Sequence, residues 1–354
     1  MSEFKNDYSQ CAHPAILEAL TRFGAETNYA YGGDTHSAAA EDMIRELCKC
    51  PGAKVAFISG GTTTNVLGIC ALLRNNYEAV ICAATGHINV HETGAVEYSG
   101  HKILAVQTDV DGKLTPELIA PVLEANSDEH MVEPKMVYIS QSTERGAIYS
   151  KDELTAISKF CREHGLYLFL DGARLGSALM AKENDLTLAD IAALVDAFYI
   201  GGTKNGLLFG EALVMINDDM KDHVRWIIKQ KGFMLAKGFA VGIMFEEAFK
   251  DGLYFDIAKH ENEAAEKIAK AIEKSAFGFY VKPQTNQLFV TLPELYAYEA
   301  VSLFDCNIEK KLDGGLSVIR IVTSWATTDD DVKEICDWIE SKNAPGVVKS
   351  ILKS

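Results

Sequence analysis

Residues 166–174, Leu166-Tyr167-Leu168-Phe169-Leu170-Asp171-Gly172-Ala173-Arg174, run five apolar side chains straight into a carboxylate. A run without polar alternation reads as a strand covered by helices on both faces. Ligands of open α/β sheets bind at the carboxyl ends of such strands, which is where Asp171 stands. A buried carboxylate is costly without a partner. A protonated ring nitrogen of a ligand would be one partner. A pair with Arg174 that ties down a loop would be another.

The pattern extends in both directions. Upstream, Ser150 and Glu153 make an S-x-x-E capping box, Leu154, Ile157 and Cys161 share a helical face, and Gly165 stops the helix. Downstream, the apolar run 197–200 leads into Gly201-Gly202-Thr203-Lys204-Asn205-Gly206. Asp171 and Lys204 are 204 − 171 = 33 positions apart, enough for one helix and one strand between two strand ends. With runs at 55–58, 79–83, 103–107, 136–140, 167–170 and 212–216, seven candidate strands alternate with amphipathic stretches. That alternation is the repeating unit of an α/β layer fold.

After about residue 250 the character changes. The spacing predicts a long helix over 254–275, strands over 287–292 and 317–323, and a last helix after Thr328. Asp329, Asp330 and Asp331 fall in its first turn, where the helix dipole favours negative charge. We therefore expect a large domain over residues 1–248, N-terminal arm included, and a smaller C-terminal α+β domain over 249–354.

The formal net charge of −16 disfavours a nucleic-acid or anionic-membrane surface, since both are bound mainly through Lys and Arg. The eight cysteines include no C-x-x-C pair and read as reduced thiols of a reducing compartment. The start of the chain lacks a signal-peptide pattern, and no apolar stretch is long enough to span a membrane. The expected location is the cytoplasm.

Three further segments carry chemistry. Ser59-Gly60-Gly61-Thr62-Thr63-Thr64-Asn65 opens a helical stretch, and small residues at a helix N-terminus suit a phosphate. The same residues also suit an ordinary capped turn. Lys204 stands among glycines before the apolar Leu207-Leu208-Phe209. Apolar surroundings lower a lysine's pKa and free its amine for Schiff-base chemistry, whereas a plain loop-tip lysine would have the glycines alone. In Gly86-His87-Ile88-Asn89-Val90-His91-Glu92, His87 could stack on a planar ring or transfer a proton. Zinc is the competing reading of His87 and His91, but no ligand set accompanies them, so no metal is expected. Together these parts suit pyridoxal 5′-phosphate: an imine lysine, an aspartate for the pyridinium nitrogen and a phosphate cradle.

From Lys5-Asn6-Asp7 and Tyr31-Gly32-Gly33-Asp34, through Asp171-Gly172-Ala173-Arg174 and Thr203-Lys204-Asn205-Gly206, to Ile319-Arg320-Ile321-Val322-Thr323, the chain resembles the L-threonine aldolase branch of the β-eliminating lyases. These are fold-type I pyridoxal-phosphate enzymes. The resemblance implies a mainly parallel seven-stranded sheet with helices on both faces. It implies that Lys204 forms the Schiff base, with Thr203 beside it, and that Asp171 holds the pyridinium nitrogen. Gly60, Gly61 and Thr62 would bind the phosphate, and His87 would stack on the ring. Arg174 and Arg320 would hold the substrate carboxylate, with Asn6 near it, and Arg174 would also border the cofactor. His87, Glu92 or a water would take the β-hydroxyl proton.

A homodimer or homotetramer is implied, with Tyr31 reaching the neighbouring subunit's site. The expected reaction is retro-aldol cleavage of L-threonine or L-allo-threonine to glycine and acetaldehyde. The alternatives are β-elimination, transamination or cleavage of a bulkier amino acid such as phenylserine. A non-catalytic binding module would have shed part of this residue set. A nicotinamide-dependent dehydrogenase would need a dinucleotide fingerprint, which is absent. Gln141-Ser142-Thr143 stands where the family usually has Glu-Asn-Thr, and Thr203-Lys204-Asn205 where it has Ser-Lys-Gly. The Tyr31 loop continues as Gly33-Asp34-Thr35-His36 rather than into Glu-Asp-Pro.

Overall fold

In the computed structural model, which describes residues 2–342, the seven apolar runs are the seven strands of one sheet. They are β1 (Lys54–Ile58), β2 (Glu78–Ala83), β3 (Lys102–Val106), β4 (Glu133–Ser140), β5 (Tyr167–Asp171), β6 (Ala197–Gly201) and β7 (Glu211–Met215). Their order is β1-β7-β6-β5-β4-β2-β3. The β6–β5–β4–β2–β3 pairings are parallel, and β7 runs antiparallel to both β1 and β6. The reversal follows from chain length. Gly201 pairs with Glu211 and Ala197 with Met215, so only residues 202–210 join the two strands, too few for a parallel crossover. That short link is the segment that carries Lys204.

Every residue of β2, β6 and β7 is buried, as expected for strands covered on both faces. One apolar cluster, with Ile81, Val137, Leu168, Leu170, Phe198 and Ile200, packs on one side of the sheet. A second, with Val80, Tyr138, Phe169 and Tyr199, packs on the other. Alternate residues of each strand thus serve opposite faces. The predicted helix after Ser150 spans Lys151–Glu163. Its capping box is closed by Ser150 Oγ accepting from the Glu153 N–H (3.3 Å) and by the Ser150 N–H donating to Glu153 Oε2 (2.7 Å). Gly165, at φ +64°, ends it.

Beyond residue 250 the long helix is Leu253–Glu273, followed by an antiparallel sheet of β8 (Gly278–Phe279), β9 (Gln287–Pro293), β10 (Asn307–Leu312) and β11 (Leu316–Val322), in the order β10-β11-β9-β8. The final helix, Asp329–Ser341, starts in a capping box between Thr328 and Asp331. Sequence reading misses β8, β10 and the helix Glu294–Phe304. The β10 strand is an edge with exposed Glu309, Lys310 and Lys311, so it shows no apolar run. The N-terminal arm joins this second layer: Phe4 lies in its core, donates to the Phe304 carbonyl (3.0 Å) and accepts from the Val322 N–H (2.9 Å). Asp7 is thereby carried over the carboxyl ends of the large sheet. Residues 343–354 of the expected small domain lie outside the described residues.

Candidate active site

Asp171 ends β5 and is 3 % exposed. Its Oδ1 accepts from the Tyr199 hydroxyl (2.6 Å) and the Ala173 N–H (2.9 Å). Its Oδ2 accepts from Asn65 Nδ2 (3.0 Å) and the Tyr138 hydroxyl. Burial alone would raise its pKa. The charge of His87 and the bonds from Tyr138, Tyr199 and Ala173 outweigh burial and hold it below the usual range. Asp171 is therefore a buried anion whose hydrogen-bond donors are all neutral. Arg174 does not pair with it, so the loop-tying reading of the Asp–Gly–Ala–Arg segment does not hold.

Lys204 stands in the short β6–β7 link, and the surrounding residues fix that link. The Thr203 hydroxyl donates to Glu211 Oε1 (2.8 Å), and the Gly202 N–H donates to Glu211 Oε2 (2.9 Å). Asn205 Nδ2 donates to the Tyr254 carbonyl (2.8 Å), which fastens the link to the long helix. Gly206 needs its φ of +83°, and a Cβ there would strike Ile257 Cδ1 at 2.7 Å. Burial, then the charge of Arg174, lower the Lys204 pKa although Asp7, Asp171 and Glu211 oppose them. Burial also pushes Glu211 up to about 7, even with the bonds from Thr203 and Gly202.

His87 begins a single helical turn after β2, and its Nδ1 lies 2.7 Å from Glu92 Oε1. Glu92 also accepts from Asn65 Nδ2 (2.8 Å), so Asn65 links the histidine pair to Asp171. The Glu92 side chain is 0 % exposed and lies behind the imidazole. It orients His87 and has no surface of its own toward the cavity.

Arg174 grips Asp7 side-on, through Nε (2.7 Å) and Nη2 (3.0 Å), and Asn286 Nδ2 donates to the same carboxylate (3.0 Å). Burial raises the Asp7 pKa, but the charges of Arg174 and Lys204 and these bonds lower it overall. Arg320, on β11, lies 3.3 Å from Glu309 Oε1. A cavity of about 530 Å³ opens between the two layers, walled by Tyr8, Thr85, His87, His91, Glu144, Arg145, Arg174, Lys204, Gln287, Glu309 and Arg320, among others.

Of the expected residues, the cavity wall unites Lys204, His87, Arg174 and Arg320. Asp171 and Glu92 stand behind it. Thr203 spends its hydroxyl on Glu211. Gly60, Gly61 and Thr62 open the helix Gly61–Leu72, whose first N–H groups have no intrahelical acceptor. A Cβ on Gly61 would come 3.3 Å from the Tyr199 hydroxyl, which places this loop one side chain away from Asp171. Asn6 is turned to its own backbone, accepting from the Tyr8 N–H (2.8 Å) and the Ser9 hydroxyl (3.0 Å). Tyr31 is not on the cavity wall. It is 42 % exposed, with Lys229 over its ring (4.7 Å).

Sequence reasoning missed Asp7, Tyr138, Tyr199, Glu211, Glu144 and Gln287. The two tyrosines fit the apolar pattern of the strands that flank β5, and their position beside the Asp171 strand was the available signal. Gln287 is 1 % exposed, and among the described residues neither amide heteroatom has a hydrogen-bond partner.

These residues fit pyridoxal phosphate. A buried anion with only neutral donors suits a pyridinium nitrogen, a lysine amine of depressed basicity suits a carbonyl, and a helix start free of side-chain caps suits a phosphate.

Comparison with known proteins agrees with this chemistry. The family model for beta-eliminating lyases matches residues 8–294. The low specificity L-threonine aldolase of Pseudomonas aeruginosa is 32 % identical over 336 residues, covering 94 % of this chain and 95 % of that protein. A threonine aldolase structure from Leishmania major superposes with a TM-score of 0.94 at 45 % identity, covering 97 % of this chain and 100 % of that one. A putative L-allo-threonine aldolase structure from Listeria monocytogenes, at 19 % identity and a TM-score of 0.73 over 95 % of this chain and 98 % of that one, shares the fold.

Proposed function

The chain belongs to the beta-eliminating lyase family, and on that premise we propose that it is a pyridoxal-phosphate-dependent aldehyde-lyase cleaving L-threonine or L-allo-threonine to glycine and acetaldehyde. The observation that carries the reading is one cavity holding Lys204, His87, Arg174 and Arg320, with Asp171 buried behind it. When bound, pyridoxal phosphate supplies an electron sink for a bond at the substrate's Cα. The chain's own residues do the rest. Lys204 is the amine that holds the cofactor covalently, and Asp171 keeps the proton on its ring nitrogen. Gly60, Gly61 and Thr62 offer backbone N–H groups to its phosphate.

Arg174 and Arg320 receive the substrate carboxylate. Asp7 occupies the Nε side of Arg174, which leaves the Nη1 end of the guanidinium for that carboxylate. Fixing the carboxylate fixes rotation about Cα and so selects which bond is broken. His87, oriented by Glu92, flanks the ring.

The working protein in this reading is a cytoplasmic homodimer or homotetramer, with a large domain over 1–248 and a small one over 249–354. Tyr31 supports the oligomer. It is absent from its own cavity wall and 42 % exposed, and we assign it to the neighbouring subunit's site. Light scattering and activity of the same sample test this, and a fully active monomer contradicts it. The reaction is tested by incubating purified, cofactor-loaded protein with L-threonine or L-allo-threonine. Equal amounts of glycine and acetaldehyde are expected. A 2-oxo acid instead would refute the reading: with ammonia released it marks β-elimination, and formed only when an amino acceptor is supplied it marks transamination.

A further inference from the structure

Glu144 lies on the cavity wall, and the chain builds a dedicated turn to put it there. β4 ends at Ser140, and residues 141–149 are clasped at their base. Gln141 Oε1 accepts from the Tyr149 N–H (2.8 Å), and Gln141 Nε2 donates to the Tyr149 carbonyl (3.2 Å). Within the clasp the Gly146 N–H donates to the Thr143 carbonyl (2.9 Å), and the Thr143 N–H donates to the Ala147 carbonyl (2.8 Å). Gly146 takes φ +75°, and a Cβ on it would meet the Gln287 carbonyl at 3.0 Å. Glu144 is in the tip of this turn.

Its Oε1 accepts from the Ser140 hydroxyl (2.7 Å) and from the His87 N–H (2.9 Å), which fixes the carboxyl beside the residue expected to flank the ring. Two other acid–base groups of the cavity wall, Glu309 and His87, are each held by a charged partner. Glu309 lies against Arg320 (3.3 Å) and Arg145 (4.0 Å), and His87 is held by Glu92 (2.7 Å). Among the described residues Glu144 forms no such ion pair.

We propose that Glu144 is the group that accepts the β-hydroxyl proton of the substrate. The inference rests on the retro-aldol reading above. The O–H bond breaks and its proton passes to the Glu144 carboxylate. The released pair becomes the π bond of the aldehyde carbonyl. The Cα–Cβ pair stays on Cα, where a proton from solvent completes glycine. Burial, and the charge of Asp171, raise the Glu144 pKa against the bonds from Ser140 and His87, which brings it closer to a working base at neutral pH. The remaining ionisable groups around it are His91, Arg145 and Lys204 in the cavity and Cys82, Tyr138 and Tyr149 beneath.

Glu144→Gln keeps an oxygen for Ser140 and His87 but cannot take a proton. In the loaded protein, kcat for L-threonine is expected to fall about 100-fold or more. The visible spectral change on adding glycine, which has no β-hydroxyl, should keep its midpoint within about twofold of wild type. Glu144→Asp should recover part of the lost activity. A Gln variant within about threefold of wild-type kcat overturns the proposal, and so does one whose glycine binding fails in step with its turnover, because that is a structural role. If wild-type protein binds glycine but cleaves neither threonine diastereomer, the functional reading fails and takes this proposal with it.

Discussion

Asp7→Ala leaves the Arg174 guanidinium buried with no anion against it. Asp7 is 1 % exposed at its side chain and Arg174 13 %, so little water can replace the lost carboxylate. Three bonds disappear together: two from Arg174 at 2.7 and 3.0 Å and one from Asn286 at 3.0 Å. Removing one partner of a buried pair typically costs about 3–5 kcal/mol, because the surviving charge stays desolvated. Urea unfolding of wild type and variant at neutral pH, analysed by linear extrapolation, should show a loss of that size. The pair also sets a pH window. The folded-state pKa of Asp7 lies below its ordinary value of 3.8, so its contribution is present above that value and is lost as pH falls through the lower folded value. The variant should therefore lack part of the wild type's acid sensitivity below pH 4. Affinity for glycine should fall as well, since Arg174 loses the group that aims it. A stability loss under about 1 kcal/mol would refute the reasoning, because the pair would then behave as an exposed one.

Glu211, pushed up to about 7 from 4.5, predicts the opposite trend at higher pH: its contribution is full below 4.5 and is lost as pH rises through 7. Wild-type stability should fall by on the order of 3 kcal/mol between pH 5 and 8, and Glu211→Gln should flatten that slope in parallel urea titrations. Gly68→Ala would place a Cβ 2.3 Å from Phe169 Cε2, so it should destabilise by about 1–3 kcal/mol, read as a lower urea midpoint with an unchanged slope. Glu92→Ala should keep the fold and the cofactor's visible band but lower kcat about tenfold or more by releasing His87 Nδ1; unchanged turnover would remove Glu92 from the site.

The large sheet was legible because burial on both faces leaves its strands as uninterrupted apolar runs. The antiparallel turn of β7 was not read in advance, yet the reason was present in the nine residues between Gly201 and Glu211. Edge strand β10 was invisible because its outward residues are charged. In the site, Lys204 and Asp171 could be found because a polar residue directly after an apolar run is conspicuous. Asp7 and Glu144 could not, since a carboxylate in a polar loop gives no local sign of what it will face. Tyr138 and Tyr199 were hidden by their rings, which satisfy the strand pattern while their hydroxyls hold Asp171. Glu92 was expected at the chemistry and stands one residue behind it, a distinction that spacing along a chain cannot make.

Covalent attachment at Lys204 is the claim on which everything else depends, and borohydride reduction of the cofactor-loaded protein tests it directly. Digestion and mass spectrometry should place a phosphopyridoxyl group on the peptide containing Lys204, and Lys204→Ala should carry none. A label on any other lysine, or an unmodified Lys204 in a protein that still binds the cofactor, would contradict the account.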